Sequence, residues 1–157
     1  MTKKTVRHIL LVEDEVHKRD ELSVYLDEFI VVEKAIDVVQ SVREAVVAVE
    51  NKNYDLVILD MALPTFTVSE EVLDGGLDQA LGGVEVLRTL KTLGQRIKVI
   101  IVTQYPDIAL DGRRVKLKAA QAALSKKYNQ DIKGAVAYKY KSSANRTKMK
   151  NILDRIW

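Results

Sequence analysis

The 157-residue sequence contains no cysteine, so neither a disulfide nor a thiolate metal site can form within it. It also lacks any apolar run near the roughly 20 residues that a membrane-spanning helix needs. The apolar stretch from Ile9 to Val12, close to the N-terminus, is too short for the core of a signal peptide. We therefore expect a cytoplasmic protein without a membrane partner.

Acidic residues are scarce in the last third of the chain. Residues 112–157 contain 13 Lys/Arg and two Asp/Glu, whereas residues 1–111 contain 12 Lys/Arg and 20 Asp/Glu. Such asymmetry can indicate a nucleic-acid surface, but neither a helix-turn-helix extension nor an aromatic–basic motif accompanies it. Acidic and basic faces that bind partner proteins or maintain solubility explain it better. Direct nucleic-acid binding is not expected.

The sequence is rich in short apolar runs that alternate with amphipathic segments. The apolar runs predict five strands, at residues 7–12, 30–35, 55–60, 97–103 and 135–140. Helical periodicity predicts five helices, at residues 16–29, 41–51, 83–93, 113–128 and 143–156. This alternation indicates an α/β domain in which helices cover both faces of a doubly wound parallel sheet.

Two connections are longer than ordinary loops. The segment 65–82, after the third predicted strand, contains four acids and no base, and we interpret it as an insertion. The second is an extended loop at 104–112, which contains Pro106 and Gly112. Since no linker leads to another domain, we expect residues 1–157 to form a single domain without an output domain.

Glycine is missing where a nucleotide-binding fold requires it. Glu13-Asp14-Glu15 follows the first predicted strand, which argues against a dinucleotide-binding fold and a phosphate-binding loop. Asp60 follows the third strand. Because parallel strands end at a common edge of the sheet, these carboxylates should meet there. Like charges at close range are unfavourable unless a cation or a proton neutralises them, so the pattern predicts a metal site.

A hydroxyl and an ammonium group are predicted at the same edge. Thr103 ends the fourth apolar run, and Lys141 follows the fifth. Together with the acid pair and Asp60, these groups have the chemistry of a phosphoryl-transfer site, in which an acid is the nucleophile.

Five motifs occur in the order found in one known family: Leu11–Glu15, Leu56–Pro64, Gly83–Arg88, Val99–Thr103 and Gly134–Lys141. The chain from Ile9 to about Ile156 thereby resembles the receiver domain of two-component response regulators. The resemblance implies a flavodoxin-like (βα)5 fold, whose five parallel strands have the order 2-1-3-4-5.

The resemblance also implies a phosphoacceptor and a metal site. Asp60 would accept the phosphoryl group from a phosphohistidine. Mg²⁺ would be held by Glu13, Asp14, Asp60 and the backbone carbonyl of Ala62. Oxygen ligands of this kind suit Mg²⁺.

Three further residues receive roles from the resemblance. Lys141 would pair with Asp60 at rest and with the phosphoryl group afterwards. Thr103 would turn to hydrogen-bond that group, and Tyr138 would move inward with it as a switch. The family usually has proline after its lysine, whereas Ser142 stands here, which puts the geometry of this loop in question.

The implied function is phosphorelay signalling rather than conventional enzymology. Partners would be a histidine kinase or phosphotransfer protein and a separate effector, with homodimer formation left open. One alternative is a degenerate receiver that binds partners without phosphorylation. A haloacid-dehalogenase-type hydrolase is disfavoured, because Ala62 stands where that class needs a second Asp.

Overall fold

The central sheet of the molecule is parallel and five-stranded. A computed structural model describes residues 5–63 and 82–157. The sheet consists of β1 (Arg7–Val12), β2 (Lys34–Val39), β3 (Leu56–Leu59), β4 (Lys98–Thr103) and β7 (Asp131–Ala137). Their order is β2-β1-β3-β4-β7, which confirms the predicted doubly wound flavodoxin-like topology. The predicted insertion at 65–82 lies outside the described residues, apart from Gly82.

Five described helices cover the two faces of this sheet: α1 (Val16–Phe29), α2 (Val42–Asn51), α3 (Gly82–Thr92), α4 (Leu117–Tyr128) and α5 (Ala144–Leu153). Helices α1 and α5 pack on one face, and α2, α3 and α4 pack on the other. The three central strands β1, β3 and β4 are nearly continuous apolar runs because both of their faces are buried. Within the described ranges, no helix combines the length and apolarity that crossing a membrane would require.

Two hydrogen bonds stabilise the start of α2. The Ser41 hydroxyl accepts a hydrogen bond from the Glu44 backbone N–H at 3.2 Å. The Glu44 carboxylate in turn accepts one from the Gln40 N–H at 2.7 Å. The first bond satisfies a backbone donor that the first helical turn leaves free, and the second holds the residue before the N-cap, so together they fix where the chain enters α2.

The segment 104–128 differs from its prediction. Instead of an extended loop followed by a helix from residue 113, it contains an antiparallel hairpin of β5 (Asp107–Leu110) and β6 (Arg113–Lys116). The hairpin turns at Asp111 and Gly112, which both have positive φ, as a two-residue type I′ turn requires. Helix α4 consequently begins only at Leu117.

Two strand boundaries also differ from their predictions. Strand β2 lies at Lys34–Val39 rather than 30–35, because the Ile30 N–H still bonds to the end of α1 and Val31 is 91% exposed. Strand β7 begins at Asp131 rather than 135, since its pairing with β4 starts opposite Lys98. The residues beyond Ala137 leave the sheet.

Candidate functional site

Three carboxylates meet where β1 and β3 end. Strand β1 leads into Glu13 and Asp14, and the adjacent strand β3 leads into Asp60. One carboxylate oxygen from each residue lies within 4.8 Å of the other two. The structure thus brings together the three acidic side chains predicted as metal ligands, and a hard divalent cation would fit their oxygen donors.

The Asp60 side chain is anchored and only 5% exposed. Its Oδ1 accepts a hydrogen bond from the Ala62 N–H at 3.0 Å, while its own N–H donates to the Val12 carbonyl at 3.2 Å. Burial raises the pKa of Asp60, and the nearby Lys18 ammonium opposes that shift. The carboxylate therefore has a fixed direction and an environment in which a positive charge is favourable.

Glu13 is also buried, with 1% of its surface exposed. Its Oε2 accepts a hydrogen bond from the Glu15 N–H at 3.2 Å, and its Oε1 is paired with the Lys18 ammonium. Burial, reinforced by the Asp60 carboxylate, raises the pKa of Glu13 to about 8. Glu13 therefore places a buried carboxylate oxygen within 4.8 Å of two other acids, as a metal ligand would.

Lys18, which the sequence analysis did not select, lies inside this acidic cluster. Its side chain has no exposed surface, and its Nζ lies 2.6 Å from Glu13 Oε1 and 3.5 Å from Asp60 Oδ2. The ammonium also donates a hydrogen bond to the Val102 carbonyl at 3.0 Å. One sequence pattern could have identified it, because Lys18 occupies the same stripe of α1 as the buried Leu22 and Tyr25.

Thr103 and Tyr138, the two predicted switch residues, are near Lys18: Thr103 follows Val102, whose carbonyl accepts a hydrogen bond from the Lys18 ammonium, and the Tyr138 ring centre lies 5.4 Å from Lys18 Nζ. Thr103 is fully buried, and its Oγ1 accepts a hydrogen bond from the Tyr105 N–H at 3.3 Å. The Tyr138 ring is also buried, and the Tyr138 N–H donates to the Thr103 carbonyl at 2.8 Å. The ends of β4 and β7 are thereby joined, while the switch roles of both residues stay predictions.

Lys141 is not in contact with Asp60. Its side chain is exposed, with Nζ 5.3 Å from the centre of the Tyr140 ring, and it forms no ion pair with Asp60 among the described residues. Its backbone adopts a left-handed conformation, with φ of 59°. The buried Asn145 side chain binds both the N–H and the carbonyl of Lys139, which closes this turn. The expected pairing at rest with Asp60 is therefore made by Lys18 instead.

Residues at the rim connect the acidic cluster to its surroundings. The Gln104 side-chain amide donates to Glu15 Oε2 at 2.6 Å, and His17 Nε2 lies 2.6 Å from Glu15 Oε1. The His17 ring contacts the Tyr140 ring edge to face, with centroids 4.6 Å apart. These contacts join α1 to the segments that follow β4 and β7.

The fold and the acidic edge define a doubly wound α/β domain with a carboxylate cluster at the edge of the sheet where ligands bind. The sequence matches the family described as response regulator receiver domain over residues 9–136. The chain is also 30% identical over 124 residues to the Detocs response regulatory protein DtcB of Vibrio alginolyticus, which covers 76% of this chain and 80% of that protein. The chain belongs to the response regulator receiver domain family, which is part of two-component signalling.

Solved structures share the fold at lower sequence identity. The response regulator TrrA of Thermotoga maritima, solved in complex with Mg²⁺ and BeF, is 23% identical with a TM-score of 0.56, covering 93% of this chain and 98% of that one. The receiver domain of a Pseudomonas aeruginosa sensor histidine kinase, solved with magnesium in its active-site cleft, is 22% identical with a TM-score of 0.56, covering 96% and 97%. These likenesses support the topology described above.

Proposed function

We propose that the chain is a phosphoacceptor module of a two-component phosphorelay, in which Mg²⁺-dependent phosphorylation of Asp60 changes a protein-binding surface. The observation that supports this most directly is the convergence of Glu13, Asp14 and Asp60 within 4.8 Å at the carboxyl edge of the sheet. In open α/β sheets this edge is where ligands bind. Family membership supplies the reaction class.

The chain's own residues would make the Asp60 carboxylate a competent nucleophile. The hydrogen bond from the Ala62 N–H to Oδ1 fixes the orientation of the group. An oxygen of Asp60 would attack the phosphorus of the donor, forming an O–P bond as the donor's bond to phosphorus breaks and its electron pair leaves with the donor. Such positioning avoids much of the entropic cost of bringing two reactants together.

Glu13, Asp14, Asp60 and the Ala62 carbonyl would hold Mg²⁺. The fit rests on their oxygen donors, since one carboxylate oxygen of each of the three acids lies within 4.8 Å of the other two. When bound, the ion would neutralise the charge of the phosphoryl oxygens. Two of the similar structures contain magnesium, which agrees with this choice of ion.

The switch would transmit phosphorylation along β4 and β7. Thr103 Oγ1 now accepts a bond from the Tyr105 N–H, and we propose that it turns to donate to a phosphoryl oxygen. Tyr138, linked to the Thr103 carbonyl, would follow and change the surface that α4 and α5 present. A histidine kinase or phosphotransfer protein would supply the phosphoryl group in the cytoplasm, and an effector protein or a second copy of the chain would read the new surface.

Labelling with acetyl phosphate tests the proposal. With Mg²⁺ present, intact-mass spectrometry should detect one added phosphoryl group on the wild type and none on Asp60→Asn, which keeps the size of the side chain but removes its charge. The product should also be lost on treatment with hydroxylamine, which cleaves acyl phosphates. Equal labelling of both proteins would contradict the assignment of Asp60.

The second candidate function is a degenerate receiver that binds partners without phosphorylation. The position of Lys141 favours it, because the expected ammonium is exposed and forms no ion pair with Asp60 among the described residues. The same labelling experiment separates the two functions. A wild-type protein that binds Mg²⁺ but acquires no phosphoryl group from acetyl phosphate would support this second function.

A further inference from the structure

The ammonium of Lys18 is the most deeply enclosed charge near the acidic cluster. Lys18 enters the cluster from the first turn of α1, with no exposed surface, and its Nζ contacts Glu13 Oε1, Asp60 Oδ2 and the Val102 carbonyl at 2.6, 3.5 and 3.0 Å. A buried ammonium is costly unless it is paired with charges and hydrogen-bonded. Here these partners come from the proposed phosphoacceptor, a proposed metal ligand and the strand of Thr103.

Packing alone does not account for this lysine. The neighbouring buried positions of α1 hold Leu22, Tyr25 and Leu26, and an apolar residue would fill the position of Lys18 without loss of hydration. The Tyr138 ring also faces the ammonium, whose Nζ lies 5.4 Å from the ring centre. The contacts of Lys18 with Glu13 and Asp60 therefore explain why a charged residue occupies this buried position.

We propose that Lys18 is a positioning residue of the phosphoacceptor site, holding the carboxylates of Asp60 and Glu13 and supplying the ammonium that the resemblance assigned to Lys141. The inference rests on the proposed function. The cluster contains three acids and the ammonium of Lys18, which reaches it from α1. Lys141 remains exposed beside Tyr140.

The hydrogen bond to Val102 also links Lys18 to the end of strand β4. Val102 directly precedes Thr103, and the Lys18 ammonium therefore ties the acidic cluster to the end of β4. When an Asp60 oxygen bonds to phosphorus, its carboxylate charge is replaced by that of the phosphoryl oxygens. Lys18 would then pair with a different arrangement of negative charge, and its hold on β4 would change with it.

Matched lysine-to-methionine substitutions test the inference. Lys18→Met should slow phosphorylation by acetyl phosphate by about 100-fold, the usual scale for losing one preorganised charge. Lys148→Met, at an exposed position of α5 that forms no ion pair or hydrogen bond within the described ranges, should keep the wild-type rate. A larger loss of rate in Lys141→Met than in Lys18→Met would overturn the proposal.

Metal affinity distinguishes a positioning role from a merely structural one. Lys18→Met should bind Mg²⁺ about tenfold more tightly than the wild type by calorimetry, because a positive neighbour of the three carboxylates is gone. Slower phosphorylation together with tighter Mg²⁺ binding supports the proposal. Weaker or unchanged Mg²⁺ binding in a folded Lys18→Met protein would count against it.

Chemical rescue covers the case in which Lys18→Met does not fold. Because the chain has no cysteine, Lys18→Cys contains a single thiol that can be alkylated in denaturant before refolding. Bromoethylamine restores an ammonium at nearly the length of lysine, and bromopropane gives a neutral group of the same shape. The ammonium form should recover the rate to within about threefold, and the neutral form should not. Equal rates in both forms would overturn the inference.

The experiments distinguish a failure of the proposed function from a failure of the role proposed for Lys18. If the wild type acquires no phosphoryl group, the phosphoacceptor proposal fails while the Mg²⁺ comparison still tests the contact of Lys18 with the acids. If the wild type is labelled and the Lys18→Met and Lys148→Met proteins match it in rate and Mg²⁺ affinity, the role of Lys18 alone is refuted.

Discussion

Two carboxylates in this molecule each have a lysine at ion-pair distance, yet their pKa values shift in opposite directions. Glu13 Oε1 lies 2.6 Å from Lys18 Nζ, and Asp111 Oδ1 lies 2.7 Å from Lys127 Nζ. The pKa of Glu13 is raised to about 8, chiefly by burial and next by the Asp60 charge. The pKa of Asp111 is lowered, chiefly by its hydrogen bond from Lys127.

The difference lies in hydration rather than in the distance between the charges. The Glu13 side chain is 1% exposed and has a second acid nearby, whereas the Asp111 side chain is 76% exposed at the tip of a hairpin. Burial removes the water that stabilises an ion, and a single ammonium shared between two acids offsets only part of this loss. The acidic cluster is thus prepared for an additional cation, and the hairpin pair is not.

Removing each lysine should produce very different losses of stability. In the metal-free protein at about pH 8, Lys18→Ala should lower the free energy of unfolding by about 3–5 kcal/mol, since it leaves buried carboxylates unpaired. Lys127→Ala should cause no measurable change, because its pair is exposed. Urea titrations followed by circular dichroism measure both values. Similar losses for the two variants would show that burial does not distinguish the two pairs.

The raised pKa of Glu13 should make Mg²⁺ binding depend on pH. Because the proton must leave before the metal binds, Mg²⁺ affinity should rise by up to about tenfold per pH unit below pH 8 and level off above it. Calorimetry in buffers of different ionisation enthalpy should detect the released proton. Affinity that is flat between about pH 6 and pH 8 would show that Glu13 is already ionised in the metal-free protein.

The raised pKa of Glu13 also makes the stability of the metal-free protein depend on pH. The folded protein keeps a proton on Glu13 at pH values where the unfolded chain has lost it, between about 4.5 and 8. The contribution of Glu13 to stability is therefore fully present below this window and is lost as the pH rises through it. Saturating Mg²⁺ should weaken this decline, because it favours the ionised carboxylate.

The sheet and its acidic edge were predictable from the sequence, because both depend on local patterns. Apolar runs marked the buried strands, and Glu13, Asp14 and Asp60 follow them directly, so parallel topology places them together. The hairpin was missed although the sequence contains its clue. Asp111-Gly112, between Leu110 and Arg113, is a dipeptide typical of two-residue hairpin turns.

The two lysines show where sequence reasoning stops. Lys141 stands at the family's position, but whether its side chain reaches Asp60 depends on the turn that Asn145 closes. Lys18 shares a stripe of α1 with the buried Leu22 and Tyr25, which could have indicated its burial, but a lysine is usually solvated. The contacts of Lys18 with Glu13 and Asp60 depend on tertiary structure that no local pattern encodes.

Two glycines extend the comparison from charge to packing. A Cβ at Gly83 would lie 2.7 Å from Met61 Cα and 2.8 Å from the Asp60 carbonyl oxygen, whereas a Cβ at Gly112 would meet nothing within 4 Å. Gly83→Ala should therefore cost about 1–3 kcal/mol of stability and weaken Mg²⁺ binding, because it displaces the backbone that holds Asp60.

Gly112→Ala should lower the free energy of unfolding by only about 1 kcal/mol, because a side chain at φ of 76° is strained. It should leave Mg²⁺ affinity unchanged. Urea denaturation measures the free energy of unfolding of both alanine variants, and calorimetry measures their Mg²⁺ affinity. Alanine at an unhindered helical site would instead stabilise by up to about 1 kcal/mol. A more stable Gly83→Ala protein with normal Mg²⁺ affinity would therefore mean that the start of α3 can move away from the acidic cluster without disturbing it.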